Sequence, residues 1–229
     1  MTVIRRTRLL LAMTFLMGLS RFRVVAGLSA CAVDRSTVSI DPPESIANPV
    51  NGVDVKLVSV TDSRLFEFRP TTPDIPSLSE DEINNDSIKA RAFARKRNSY
   101  GKALGDVVLP ENQTVAGIMK PALENAFRAA GYRVLEPGNP EFDKAIPVEV
   151  KVIQFWSWIE WGFWELGLHN KAEVSISATE GPMAEGLKVF NETVGKHAAV
   201  FDGDWQQSAT TGIMDLGVKV TDELNKLRQ

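Results

Sequence analysis

Three strand-like runs follow one another in the last third of the chain and commit the fold to a sheet. Residues 147–159 read as a long strand, residues 171–179 alternate cleanly, and residues 187–196 follow the turn residues Glu180, Gly181 and Pro182. Alternation with period two turns one strand face to a core and the other to solvent. The order reads as three antiparallel neighbours. Upstream, residues 53–60 alternate in the same way, and shorter strands are expected near 106–109 and 132–135.

Two apolar-faced helices complete the pattern. Residues 112–130 place Val115, Ile118, Met119, Ala122, Leu123, Ala126 and Phe127 on one face, with Gly131 as the stop. Pro121 inside this run costs a hydrogen bond and bends the axis. Residues 208–227 bury Ile213, Leu216, Val220 and Leu224 in the same manner. Ser79 and Glu82 have the spacing of a capping box, which opens a third, charged helix over 81–96, acidic early and basic late. Pro70, Pro73 and Pro76 make residues 65–80 an irregular loop. The expectation is an α/β (α+β) fold. It is a two-layer sandwich of a mixed, largely antiparallel sheet with two main helices packed on one face.

The N-terminus reads as an address. Arg5, Arg6 and Arg8 precede an apolar stretch over 9–19 that is too short to span a bilayer. Leu28, Ser29 and Ala30 then lead to Cys31, the only cysteine, in the pattern of a bacterial lipobox. Arg21 and Arg23 interrupt what is usually a smooth apolar run. The expected organisation is a lipoprotein signal peptide over 1–30, a lipidated Cys31 with a flexible tether over 31–52, and a single domain over 53–229. Pro42, Pro43, Pro49 and Gly52 suit the tether. Ala32 follows the cysteine where Asp would mark inner-membrane retention, so the expected location is the outer membrane, facing the periplasm. A palmitate-class acyl chain on Cys31 would be the membrane contact. Residues 1–31 hold five arginines and no acid, so the remainder carries 21 basic against 29 acidic residues. A net-acidic domain argues against nucleic acid as a partner.

Several stretches resemble the YajG-like family of uncharacterised bacterial lipoproteins. They are Val60-Thr61-Asp62-Ser63-Arg64 at the end of a strand, Arg97-Asn98-Ser99-Tyr100-Gly101 leading into Gly105-Asp106-Val107-Val108-Leu109, Ala130-Gly131-Tyr132 after the long helix, and Leu224-Asn225-Lys226-Leu227 near the end. The resemblance covers most of the chain after the lipobox. It implies an envelope lipoprotein with an α/β domain and brings no catalytic residues. Residues 65–92 look like an insertion relative to that pattern.

Four of the five tryptophans lie within nine residues, in Phe155-Trp156-Ser157-Trp158-Ile159-Glu160-Trp161-Gly162-Phe163-Trp164. In a strand, Trp156 and Trp158 share one face while Phe155, Ile159 and Trp161 share the other. Either both faces are buried, or Trp156, Trp158, Trp161, Phe163 and Trp164 form a protruding hairpin that binds a partner, a lipid surface or a sugar chain. A second candidate is the basic cluster of Arg91, Arg95 and Lys96, with Lys89 and Arg97. It is either a solvated helix end or a dock for phosphates or an acidic partner. Asp62 and Arg64 are expected to pair at the strand end. His169 and His197 lack metal-ligand spacing, no phosphate-loop sequence is present, and Glu160 and Glu165 are the only tempting carboxylate pair. No metal, cofactor or catalytic residue is therefore expected. The reading is a non-enzymatic accessory lipoprotein that binds another envelope component. The alternatives are a carrier or sensor of a lipid or cell-wall fragment, held between helices and sheet, and an envelope-polymer hydrolase.

Overall fold

A strand of sixteen residues, Ile146–Trp161, carries the sheet. The computed structural model describes residues 35–228. In chain order its strands are β1 (Ser36–Thr37), β2 (Asp54–Asp62), β3 (Ala92–Arg97), β4 (Ala103–Val108), β5 (Arg133–Val134), β6 (Ile146–Trp161), β7 (Leu166–Ala178) and β8 (Leu187–His197). The helices are α1 (Asp86–Lys89), α2 (Val115–Ala129) and α3 (Asp202–Leu227). All eight strands belong to one mixed sheet, so the α+β architecture holds. One edge of β6 pairs antiparallel with β7, and β7 pairs antiparallel with β8, as the three alternating runs require. The other edge of β6 is shared between two shorter strands. β2 runs parallel to residues 146–152, and β3 runs parallel to Ser157 and Trp158. β5 extends the sheet beyond β2, while β4 and then β1 extend it beyond β3.

This sharing leaves a joint between the last β2 pairing at Val152 and the first β3 pairing at Ser157. Arg64 fills it. Its Nη1 donates to the Ala92 and Phe155 carbonyls at 2.7 and 3.2 Å, and its Nη2 donates to the Lys89 carbonyl at 2.8 Å. Asp62 accepts from Nε and Nη2 at 2.8 and 2.7 Å. The side chain is fully buried, with the guanidinium 4.7 Å from the centre of the Trp156 ring. The expected Asp62–Arg64 pair therefore forms, and it also supplies the donors that the joint lacks.

α2 and α3 lie side by side on one face of the sheet. Thr114 caps α2, and Gly131, at φ +84°, ends it in the left-handed conformation that favours glycine. Met119, Leu123, Phe127, Trp205, Leu216 and Val220 meet Val148, Val150, Phe155 and Val174 in a filled core. α3 comes so close to the sheet that a β-carbon on Gly212 would collide with the Asn170 amide. On the opposite face, Phe66 packs edge-on against Trp156 at 5.0 Å, and Leu78 joins Ala92 and Val108 in a second small cluster.

Two expectations are corrected here. The helix over 81–96 does not form. The Ser79–Glu82 box is made, with the Ser79 N–H donating to Oε2 of Glu82 at 3.1 Å, but it closes only a turn. Asn85 then caps the single turn of α1, and residues 92–97 are strand β3. Residues 35–48 of the segment expected as a tether over 31–52 are instead part of the fold. Within it, β1 pairs with β4, and Val38 and Ile40 are buried in the core. Three side-chain amides hold the segment. Gln113 accepts from the Ile40 N–H and donates to its carbonyl, Asn125 does the same for the Ile46 N–H and the Glu44 carbonyl, and Asn48 brackets Val134. Arg35 adds a two-pronged pair with Glu82 at 2.6 and 3.0 Å.

Arg64→Met is expected to cost about 3–5 kcal/mol, because it leaves Asp62 without its partner and several carbonyls without donors. Arg64→Lys should recover little, since one ammonium cannot replace the planar fork. Urea unfolding with an unchanged m-value checks both. A second expectation concerns acid. Arg35 holds the Glu82 carboxyl down to about 2 from its ordinary 4.5. A depressed carboxylate contributes stability above pH 4.5 and loses it as the pH falls toward 2. Both side chains keep a quarter to a third of their surface in water, so the contribution is at most about 1 kcal/mol. Unfolding midpoints compared above and within that window should show a smaller acid loss for Glu82→Gln than for the native chain.

Candidate binding site

Strand direction gathers three connections at one end of the sheet. β3 and β6 run parallel and finish there, β4 and β7 begin there, and β8 returns to it. The connections are residues 98–102, residues 162–165 and the segment 198–201 before α3. The β6–β7 turn is closed by the Gly162 N–H donating to the Glu165 carbonyl at 3.0 Å. A β-carbon at position 162 would press on that same carbonyl, which explains the glycine. The 98–102 turn is organised by the Asn98 side chain, which accepts from the Tyr100 and Lys102 N–H groups, with Gly101 at φ +76°.

These turns carry aromatics into water. Tyr100 is 93% exposed, Phe163 87% and Trp164 90%. Trp161 is half-exposed and Phe201 largely exposed. The Phe163 and Trp164 rings meet edge-to-face at 4.6 Å, and the Trp161 indole N–H donates to the Arg97 carbonyl at 3.1 Å. Behind them lies a groove of about 980 Å³, walled by Leu104, Ile159, Leu166, Val200 and Trp205. Two carboxylates at its rim have basic neighbours. Glu165 meets Lys196, and His197 Nδ1 lies 3.3 Å from Asp204.

The aromatic decapeptide is thus divided. Trp161, Phe163 and Trp164 reach the surface. Trp156 and Trp158 do not, at 2% and 8% exposure, and they are withdrawn as partner contacts. The strand alternation is as expected, but the loop after β2 covers the outer face. Phe66 lies on Trp156, and Trp158 stacks on His169 at 4.8 Å beside Lys171, which is paired with Asp74.

The basic cluster is also corrected as a dock. Arg95 and Lys96 are buried, and Arg91 is partly so. Arg95 donates to the Pro70, Thr72 and Ile75 carbonyls, and Arg97 to the first two. Arg91 donates to the Leu109 carbonyl, and Lys96 Nζ to the Ser36 hydroxyl at 2.6 Å. The irregular, proline-rich loop leaves carbonyls without helix or sheet partners, and these guanidinium groups satisfy them. Burial, with the neighbouring Arg97, lowers the Arg95 pKa to about 10, so it stays charged at neutral pH.

The remaining candidates do not converge. Glu160 pairs with His169 at 3.0 Å, and Glu165 with Lys196. Among the described residues no group of three or more His, Asp or Glu is placed to hold a metal ion, and no helix is long and apolar enough to cross a membrane. Cys31 lies outside the described residues. Sequence reasoning missed Tyr100 and Phe201, because a lone aromatic in a turn has no periodicity to mark it. The Asn98-Ser99-Tyr100-Gly101 turn was the available signal.

No family model matches the chain, and no curated protein matches it. Among solved structures, it is similar to one described as "Crystal structure of uncharacterized protein", at 8% identity and a TM-score of 0.42. That likeness covers 84% of this chain and 99% of the other.

The division of the aromatics has a direct test. Phe163→Ser combined with Trp164→Ser should leave the melting temperature within about 2 °C of native, as exposed substitutions do. Trp158→Ala should cost about 3–5 kcal/mol, because it empties a covered site. Thermal and urea unfolding followed by circular dichroism distinguish the two.

Proposed function

We propose that this chain is a non-enzymatic accessory lipoprotein, anchored by an acyl chain on Cys31 and facing the periplasm from the outer membrane. Its aromatic end binds another component of the envelope. The observation that supports this is the gathering of Tyr100, Trp161, Phe163, Trp164 and Phe201 at one end of the sheet, beside an apolar groove. Exposed aromatics in such a group are poor solubility devices and good contact residues. A carrier of an apolar ligand is the second reading, favoured by the groove itself. The filled core gives no support to a ligand held between helices and sheet.

The anchor is tested by metabolic labelling with radioactive palmitate. The native chain should take up label, and Cys31→Ala should not. The binding end is tested in cells with a photocrosslinking side chain at position 164 and, as a control, at the half-exposed Phe190 on β8. Adducts confined to position 164 are expected, and equal capture from both positions would count against the assignment.

A further inference from the structure

We infer that the component met by the aromatic end is the lipid interface itself, so that the domain sits end-on against the membrane beside its own anchor. This rests on the reading of Cys31 as the acylated residue.

The argument begins with the leash. Had residues 31–52 been a free tether, the domain could stand about 75 Å from its anchor, at 3.3–3.6 Å per extended residue. The chain is instead fixed to the sheet from Arg35 onward, by its pair with Glu82 and by the β1–β4 ladder. The four residues from Cys31 to Arg35 can span at most about 14 Å.

The leash also leaves in a defined direction. β1 runs parallel to β4, and Ser36 lies opposite Val107. β4 begins at Ala103, at the aromatic end, so the chain enters β1 from that end. Lys96, which lines the aromatic groove, donates to Ser36. Going back along β4 from Val107 to Ala103 covers about 13 Å, the reach of the leash. An anchor four residues before Arg35 is therefore within reach of the side of the domain that carries the exposed aromatics.

Chemistry favours lipid as the occupant. Tryptophan and tyrosine settle at the headgroup level of a bilayer, where an apolar ring and a polar N–H or O–H are both accommodated. Phe163 and Trp164 both stand in water, and their rings meet edge-to-face to form one wedge. The charges around the groove balance, Lys96, Arg97 and Lys196 against Glu165, Asp202 and Asp204, so attraction to anionic headgroups is not what seats the domain. Held on a leash of this length, the aromatics face lipid at a high effective concentration, and a weak contact suffices.

The test uses the full, processed protein purified from membranes and reconstituted into vesicles of phosphatidylethanolamine and phosphatidylglycerol carrying brominated acyl chains. Bromine quenches tryptophan that enters the lipid. Quenching of the exposed indoles is expected, and Trp164→Phe should remove about half of it, because Trp161 is the other exposed indole at that end and Trp205 behind it is buried. Phe163→Ser with Trp164→Ser should reduce it further while the unfolding midpoint stays native. The quenching should not change between low and high salt. An intact mass that includes the acyl group, with no bromine quenching, would overturn the lipid contact and leave the accessory reading standing. Protein adducts without lipid adducts from position 164 would do the same. A mass without the acyl group would remove the anchored reading, and this inference with it.

Discussion

The sheet depends on how one long strand shares its edge. β6 is too long for either parallel neighbour, so β2 takes its first half and β3 its second. A buried joint between two strands exposes carbonyls that no ladder can satisfy. Arg64 satisfies several of them at once, because a guanidinium offers donors in a fixed plane on both sides. The same residue turns the chain across the outer face of β6, where Phe66 can reach Trp156. The upper half of β6 is then covered on both sides, by α3 and the core on one and by the loop on the other. What emerges uncovered is the turn beyond it. Phe163 and Trp164 lie in that turn and stay exposed.

Much of this architecture is legible in local pattern. The alternation in β6, β7 and β8, the apolar faces of α2 and α3, and the stop at Gly131 are properties of neighbouring residues, and each appears where the periodicity puts it. The Asp62–Arg64 pair was likewise readable as a strand-end device. β3 was not. Residues 81–96 carry a capping box and a favourable charge gradient, both real helix signals. Tertiary demand overrides them, since Arg95 and Arg97 must reach the Pro70 and Thr72 carbonyls from an extended chain. The fate of the tryptophans was half legible. Strand parity assigns Trp156 and Trp158 to one face, but the cover over that face is an irregular loop, which leaves no pattern to read.

The aromatic end illustrates how topology gathers what sequence scatters. Tyr100, the 162–165 turn and Phe201 are far apart along the chain, and each alone is an ordinary exposed ring. Parallel β3 and β6, with their antiparallel neighbours, bring all of them to one edge. The neighbouring cations took the opposite course. They look like a surface patch in the sequence and are consumed inside the fold, binding main-chain carbonyls.

The three amide clasps on residues 40–48 carry one more consequence. They join the N-terminal segment to α2 and β5 across 73 to 86 positions of sequence. Contacts that distant close long loops at an entropic cost, as the β2–β6 pairing of Val55 with Ile146 does within the sheet. With the clasps closed and β1 laid on β4, the first fixed residue is Arg35 instead of one beyond position 52. A chain held at residue 31 would then keep the whole domain within about 14 Å of its tie, so this short segment sets how far the domain can swing as well as how it packs.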